Sequence, residues 1–151
     1  MKSWITDKKA IDFINEHHVL TLATCVDSTP YCSNMFYVYS EDENIFVFAS
    51  DRETRHIKEA LINRTVAGSI ALETEIIGKI QGLQFCGQMK ELSGKLKLKA
   101  KILYLKRFPY AVLSGTPLWG IEPDYFKLTD NRLGFGKKII MSKSDLSEQS
   151  E

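Results

Sequence analysis

The chain has 151 residues and is 44% hydrophobic, enough for one domain with a substantial core. Twenty basic against nineteen acidic side chains give a net charge of +1, which excludes a broad electrostatic footprint for nucleic acid and confines any basic site to a local cluster. No apolar run is long enough to span a bilayer, and Met1-Lys2-Ser3-Trp4 leads into a polar helix rather than a signal-peptide core, so the expected location is the cytoplasm, away from membranes.

In chain order, Thr6 is placed to cap a first helix running to about Glu16, with Ala10, Ile11, Phe13 and Ile14 on its apolar side. His17 and His18 close it. Being adjacent they point in different directions, so a paired metal site is not expected. Val19 to Cys25 reads as a strand, Asp27 to Pro30 as a turn, and Tyr31 to Ser40 as the returning strand of a hairpin. That second strand alternates Tyr31, Ser33, Met35, Tyr37 and Tyr39 against Cys32, Asn34, Phe36 and Val38. Both sides are at least half apolar, as in a closed barrel or a strand facing a second subunit. Asn34 is the polar misfit, with a local backbone hydrogen bond as its default role and a polar handle for a ligand ring as the alternative. Cys25, Cys32 and Cys86 are an odd set without CxxC spacing and are expected as buried, reduced thiols.

The stretch Ile45 to Leu72 organises the middle of the chain. Ile45 to Phe48 form an apolar strand, and Ser50-Asp51-Arg52-Glu53 fits a capping box that would start a helix at once. On that helix Ile57, Ala60 and Leu61 share a buried stripe, and Arg52, Arg55, His56 and Glu59 share the other side. Cations in a first helical turn oppose the helix dipole, while the free N–H groups there attract anions. A bound phosphate would account for both; a solvated basic face is the plainer alternative.

Further strands are expected over Thr65 to Leu72 and, after a polar turn near Glu73-Thr74-Glu75, over Lys79 to Leu92. In the latter, Gly82 and Gly87 mark bends, a barrel corner, or the close approach of something flat. Lys95 to Lys106 fits a helix ending before Pro109. Leu118 to Pro123 and Tyr125 to Thr129 read as a last pair of β segments, and a polar tail begins at Ser142. Before that tail, Leu133-Gly134-Phe135-Gly136-Lys137-Lys138 could wrap a phosphate or a ring edge, or be a flexible basic turn; it is not a P-loop.

The order of these elements resembles the pyridoxamine 5'-phosphate oxidase-like FMN-binding split barrels, and within them the YhbP-type family. The resemblance is carried by Thr54-Arg55-His56, Val66-Ala67-Gly68, Gly82-Leu83-Gln84-Phe85 with Gly87, Arg107-Phe108-Pro109, and Thr129-Asp130-Asn131 followed by Leu133 to Lys138. It implies a mainly β fold, a six-stranded antiparallel Greek-key barrel over residues 1–141 with peripheral helices and a short tail. It also implies a homodimer with FMN at the subunit interface. By the same resemblance Asn34, Met35 and Phe36 run beside the flavin ring, Ser50 and Thr54 lie near the phosphate, Arg55 and His56 are the basic phosphate-binding pair, Gln84 approaches from the second subunit, and Lys137 belongs to the glycine-flanked loop. Histidine replaces the lysine common in that pair, and the C-terminal Arg-x-His stretch of the oxidase is absent, so pyridoxamine phosphate is not the expected substrate.

Two functions follow from the resemblance. The first is an FMN-dependent oxidoreductase of unknown substrate, in which no side chain stands out as a general acid or base and Phe36, Tyr37, Phe85, Trp119 and Phe135 either frame a flat pocket or fill the core. The second is a non-catalytic module holding flavin or haem, with His17, His18 and His56 as the available axial ligands.

Overall fold

The computed structural model describes residues 4–113 and 115–148. Four helices, α1 (Lys8–Glu16), α2 (Arg55–Ile62), α3 (Gly94–Arg107) and α4 (Lys143–Glu148), surround seven strands: β1 (Val19–Val26), β2 (Thr29–Ser40), β3 (Ile45–Ala49), β4 (Thr65–Ala71), β5 (Gln81–Glu91), β6 (Leu118–Asp130) and β7 (Lys138–Ser142). The antiparallel sheet runs β3-β2-β1-β4-β5-β6-β7 and closes because the first part of β6 also pairs with β3. This is the expected split barrel with one strand more than six, the addition being β7 on the second half of β6. Among the described residues no helix is long and apolar enough to cross a membrane.

Local chemistry explains each element. The β1–β2 turn places Asp27 and Ser28 at φ values of 50° and 61°, the two left-handed residues whose twist suits a tight hairpin. The continuous apolar run of β3 arises because both of its faces are covered. Phe46 and Phe48 point into the barrel with Tyr37, Phe85, Trp119 and Phe126, whereas Ile45 and Val47 lie under α3 with Val38, Leu92, Ala100 and Tyr104. Phe46 and Phe85 stack at 4.5 Å with ring planes 16° apart, which fixes the centre of the barrel.

The two expected C-terminal β segments are one strand of 13 residues that passes straight through Pro123. Proline is tolerated there because β3 pairing ends at Ile121 and β7 pairing begins at Tyr125, so its missing N–H falls where neither neighbour needs a donor. Opposite it, the β5 register shifts between Cys86 and Gly87, and a Cβ on Gly87 would stand 2.3 Å from the Glu122 carbonyl oxygen. The barrel-corner role is the one that Gly87 fills.

Several boundaries differ from expectation. Asp7, not Thr6, caps α1 by accepting from the Ala10 N–H at 3.1 Å. The capping box at Ser50 does not form, and α2 begins at Arg55 with Thr54 as its cap residue. On α2, Ile57 and Ala60 are buried but Leu61 is exposed. The polar tail continues β7 through Ser142 and then forms α4.

At the helix end of α1, Arg107 from the last turn of α3 donates to the carbonyl oxygens of Asn15 at 2.9 Å and His17 at 2.5 Å, and reaches that of Tyr37 at 3.5 Å. β1, β2, β4 and β5 present an outer sheet surface built from Val19, Thr21 and Ala23, Cys32, Asn34 and Phe36, Ala67 and Ser69, and Gln84 and Cys86, with Phe36 packed at its edge on Phe108. The thiols are therefore not buried: Cys32 and Cys86 are exposed and Cys25 is half-buried, all reduced.

On the inner side of β2, the Ser33 Oγ is buried without a hydrogen-bond partner among the described residues. An unsatisfied buried hydroxyl destabilises, so Ser33→Ala is expected to raise unfolding stability by about 1 kcal/mol in denaturant titrations. A loss of stability would show that the hydroxyl is satisfied.

Candidate functional site at the start of α2

The site is built where β3 stops. The Ser50 backbone is held on both sides, its N–H donating to the Pro117 carbonyl at 3.1 Å and its carbonyl accepting from the Trp119 indole at 2.9 Å. Asp51 then turns the chain: its carboxylate accepts from the Glu53 N–H at 2.8 Å, and its carbonyl accepts from the Thr54 hydroxyl at 2.8 Å. These bonds replace the capping box, because the Ser50 hydroxyl has a stronger partner elsewhere.

That partner is His56. Its Nε2 lies 2.6 Å from Ser50 Oγ and 3.3 Å from Thr54 Oγ1, and the two hydroxyls are 3.3 Å apart. Burial holds the imidazole below its ordinary pKa of 6.5, so it is neutral at pH 7. The Thr54 side chain makes no cap bond, and the first helical hydrogen bond runs from Lys58 N–H to Thr54 carbonyl. The N–H groups of Arg55, His56 and Ile57 consequently have no acceptor within the helix. Two hydroxyls, an imidazole and three backbone donors at the positive end of a helix form a set suited to an anion.

Arg55 stands beside this set and is partly engaged. Its guanidinium carbon sits 4.1 Å from the centre of the Tyr31 ring, and its Nε donates to Glu59 at 2.8 Å. Glu59 also accepts from the Thr24 hydroxyl at 2.6 Å, and these two bonds, that from Thr24 foremost, keep its carboxyl below the usual range. The terminal nitrogens of Arg55 make no hydrogen bond among the described residues. The side chain is thus oriented through one nitrogen while its fork stays open.

Of the residues expected at a cofactor, Ser50, Thr54, Arg55 and His56 come together. Met35 is buried in the barrel core, while Asn34 and Phe36 face outward from β2, on the opposite side from Tyr31. Asn34 accepts from the Thr21 hydroxyl at 2.8 Å, a cross-strand side-chain bond rather than the expected backbone one. Gln84 lies on the same outer surface, paired with Ser69 and Lys127. Lys137 is remote: its carbonyl accepts from Asp130 at the end of β6, whereas the first residue of that strand, Leu118, pairs with Ala49 beside Ser50. Roughly 40 Å of strand separates them at ordinary rise per residue. Tyr37, Phe85 and Trp119 are core, and Phe36 and Phe135 are exposed, so the five aromatics do not frame one pocket.

Thr24, Tyr31, Glu59 and Trp119 complete the cluster and were not marked as site residues by the sequence. Glu59 carried a usable signal, its four-residue spacing from Arg55. Trp119 was expected only as a pocket or core aromatic, and nothing in the sequence marks its bond to Ser50, which joins positions 69 apart.

No family profile matches the chain. Among solved structures, an FAD-binding protein from Mesorhizobium loti superposes with a TM-score of 0.67 at 15% identity, covering 82% of this chain and 94% of its own. The haem storage protein HutZ from Vibrio cholerae superposes with a TM-score of 0.66 at 16% identity, covering 82% and 91%. These likenesses establish the shared split-barrel fold. In sequence, a UPF0306 protein of Photorhabdus laumondii is 40% identical over 131 residues, spanning 87% of this chain and 92% of its own length. Identity at that level over nearly the whole of both chains shows that the protein belongs to the UPF0306 family.

Proposed function

We propose that this protein is an FMN-binding flavoprotein of the YhbP type, an oxidoreductase whose flavin supplies hydride or electron transfer and whose chain binds and orients it. The observation that carries the proposal is the donor set at the start of α2. Ser50, Thr54, His56 and the open fork of Arg55 match the needs of a phosphate ester, with the α2 N–H groups behind them. The outer sheet surface supports a homodimer, because its small Ala23, Ala67 and Ser69 side chains allow a second copy to approach closely and Phe36, 58% exposed, would be covered. In such a dimer Asn34, Phe36 and Gln84 would lie at the interface.

Haem is the second reading. His17 donates its Nδ1–H to the Phe13 carbonyl at 2.8 Å, which leaves its Nε2 lone pair free in the tautomer that a metal takes, whereas His56 Nε2 is engaged by Ser50. His17 and the exposed His18, packed edge-on against Phe108, are therefore the axial candidates. A Soret band on haem addition that vanishes in His17→Ala or in His18→Ala would favour it.

The pH dependence tests the flavin reading. In the free protein His56 is neutral at pH 7; a bound phosphate dianion favours the imidazolium and raises its pKa, so binding takes up a proton. FMN affinity should therefore fall as pH rises through the bound-state pKa. The ester's own second ionisation, near pH 6, acts in the same range and must be separated. His56→Lys keeps a full charge, and is expected to bind FMN more tightly at pH 8 and to lose the decline above pH 7. Fluorescence quenching of FMN and riboflavin by both proteins measures this; a decline identical in the two would remove His56 from the phosphate.

A further inference from the structure

A cavity of about 280 Å³ lies between α3 and the ends of β3, β5 and β6; Ser50, Thr54, Arg55 and His56 do not line it, though Ala49 and Pro117, which flank and hold the Ser50 backbone, do. Its floor is apolar, with Leu92 and Leu118 beside the ring of Tyr104. Its rim is charged. Arg52 crosses to Glu91 with both terminal nitrogens, and that pairing foremost, with Lys97 adding to the field, holds the Glu91 carboxyl below its usual range. The two charges answer each other. Lys97 and Lys101, one turn apart on α3, line the same opening and make no ion pair or hydrogen bond among the described residues. Among the described residues no other carboxylate lines the cavity.

Arg52, Lys97 and Lys101 against the single carboxylate of Glu91 leave the rim with an excess of two positive charges above an apolar floor, and that combination defines a ligand by its chemistry. An inorganic anion would leave the floor wet, and a neutral apolar molecule would leave the lysines without a counter-charge. A nucleotide would bring a large polar sugar onto the apolar floor of a cavity near the small end of ligand sites. We propose that this cavity binds an amphipathic organic anion, a carboxylate or sulfonate on a compact aromatic or aliphatic body, with Lys97 and Lys101 holding the charge and Leu92 and Leu118 the body. Lysine can lay its stem along an apolar wall while its head stays at a rim, which lets long cationic side chains serve both parts of such a ligand. This site does not depend on flavin binding, and either proposal stands without the other.

The test uses the full chain and two probes of nearly one shape, 1-naphthoate and the neutral 1-naphthalenemethanol, titrated by amide chemical shifts. Naphthoate is expected to bind saturably, with the largest shifts at Leu92, Tyr104 and Leu118, and the alcohol to bind about tenfold more weakly, as loss of a charge-assisted contact implies. Lys97→Gln/Lys101→Gln should weaken naphthoate about tenfold and leave the alcohol unchanged. Both positions are exposed, and a thermal melt matching the native protein confirms the fold of the variant. Arg55→Ala should leave naphthoate binding untouched, which separates this site from the flavin site. Equal affinity for the two probes, shifts centred elsewhere, an unaltered naphthoate constant in the double variant, or no saturation at millimolar probe would each overturn the proposal.

Discussion

With Arg55 replaced by alanine, FMN binding is expected to weaken about thirtyfold while riboflavin binding stays nearly constant, a difference of about 2 kcal/mol for the loss of charge-assisted hydrogen bonds to phosphate. Riboflavin carries the same ring and ribityl chain without the ester, so it reports everything except the phosphate. The geometry adds a second effect to be separated. Arg55 Nε satisfies Glu59 at 2.8 Å, and removing the guanidinium leaves a carboxylate facing the same region. Its repulsion of a dianion would deepen the loss. Arg55→Ala/Glu59→Gln removes both charges, and should recover part of the affinity if repulsion contributes. Equal losses for FMN and riboflavin in Arg55→Ala would mean that Arg55 acts on the ring or the fold, and the phosphate assignment would fail.

The second large effect concerns the barrel core. Gly68 on β4 stands directly opposite Phe85 on β5, and a Cβ added there would lie 2.2 Å from the ring's Cζ. The ring cannot step aside, because its other face stacks on Phe46 at 4.5 Å. Gly68→Ala should therefore cost about 3 kcal/mol through overpacking. Phe85→Ala removes a side chain that is 1% exposed, and should cost about 4 kcal/mol through the cavity it leaves. Combined, the two changes should cost at least 1 kcal/mol less than their sum, since the new methyl enters the vacated space. Urea midpoints for the four proteins measure the cycle, and strict additivity would mean that Gly68 is required for some reason other than this ring.

Much of this was legible in the sequence, for reasons tied to particular residues. Period-two alternation found β2 and β5 because one face of each is buried along most of its length. The unbroken run at Ile45 was a strand because α3 covers the face that would otherwise be polar. The basic residues at positions 55 and 56 do stand in the first turn of a helix, with the Ser50 and Thr54 hydroxyls beside them. What stayed hidden depends on contacts between distant positions. The start of α2 was misplaced because Ser50 has the sequence of a capping residue, yet its hydroxyl is taken by His56 and its backbone by Pro117 and Trp119. The unity of β6 was obscured by Pro123, whose tolerance depends on where β3 ends and β7 begins. The exposed thiols were misread because their apolar neighbours in sequence point to the other face of the sheet. Lys137 was grouped with the phosphate residues by its loop chemistry, while the length of β6 sets it at the other end of the same chain.

Arg107 has a consequence for how the molecule comes apart. One guanidinium caps the closing carbonyls of α1 and also touches the backbone of β2, while its own main chain ends α3. Two helices far apart in the chain therefore share a single latch. On gentle warming they should fray as one cooperative unit, and the amino-terminal segment should not detach ahead of the rest.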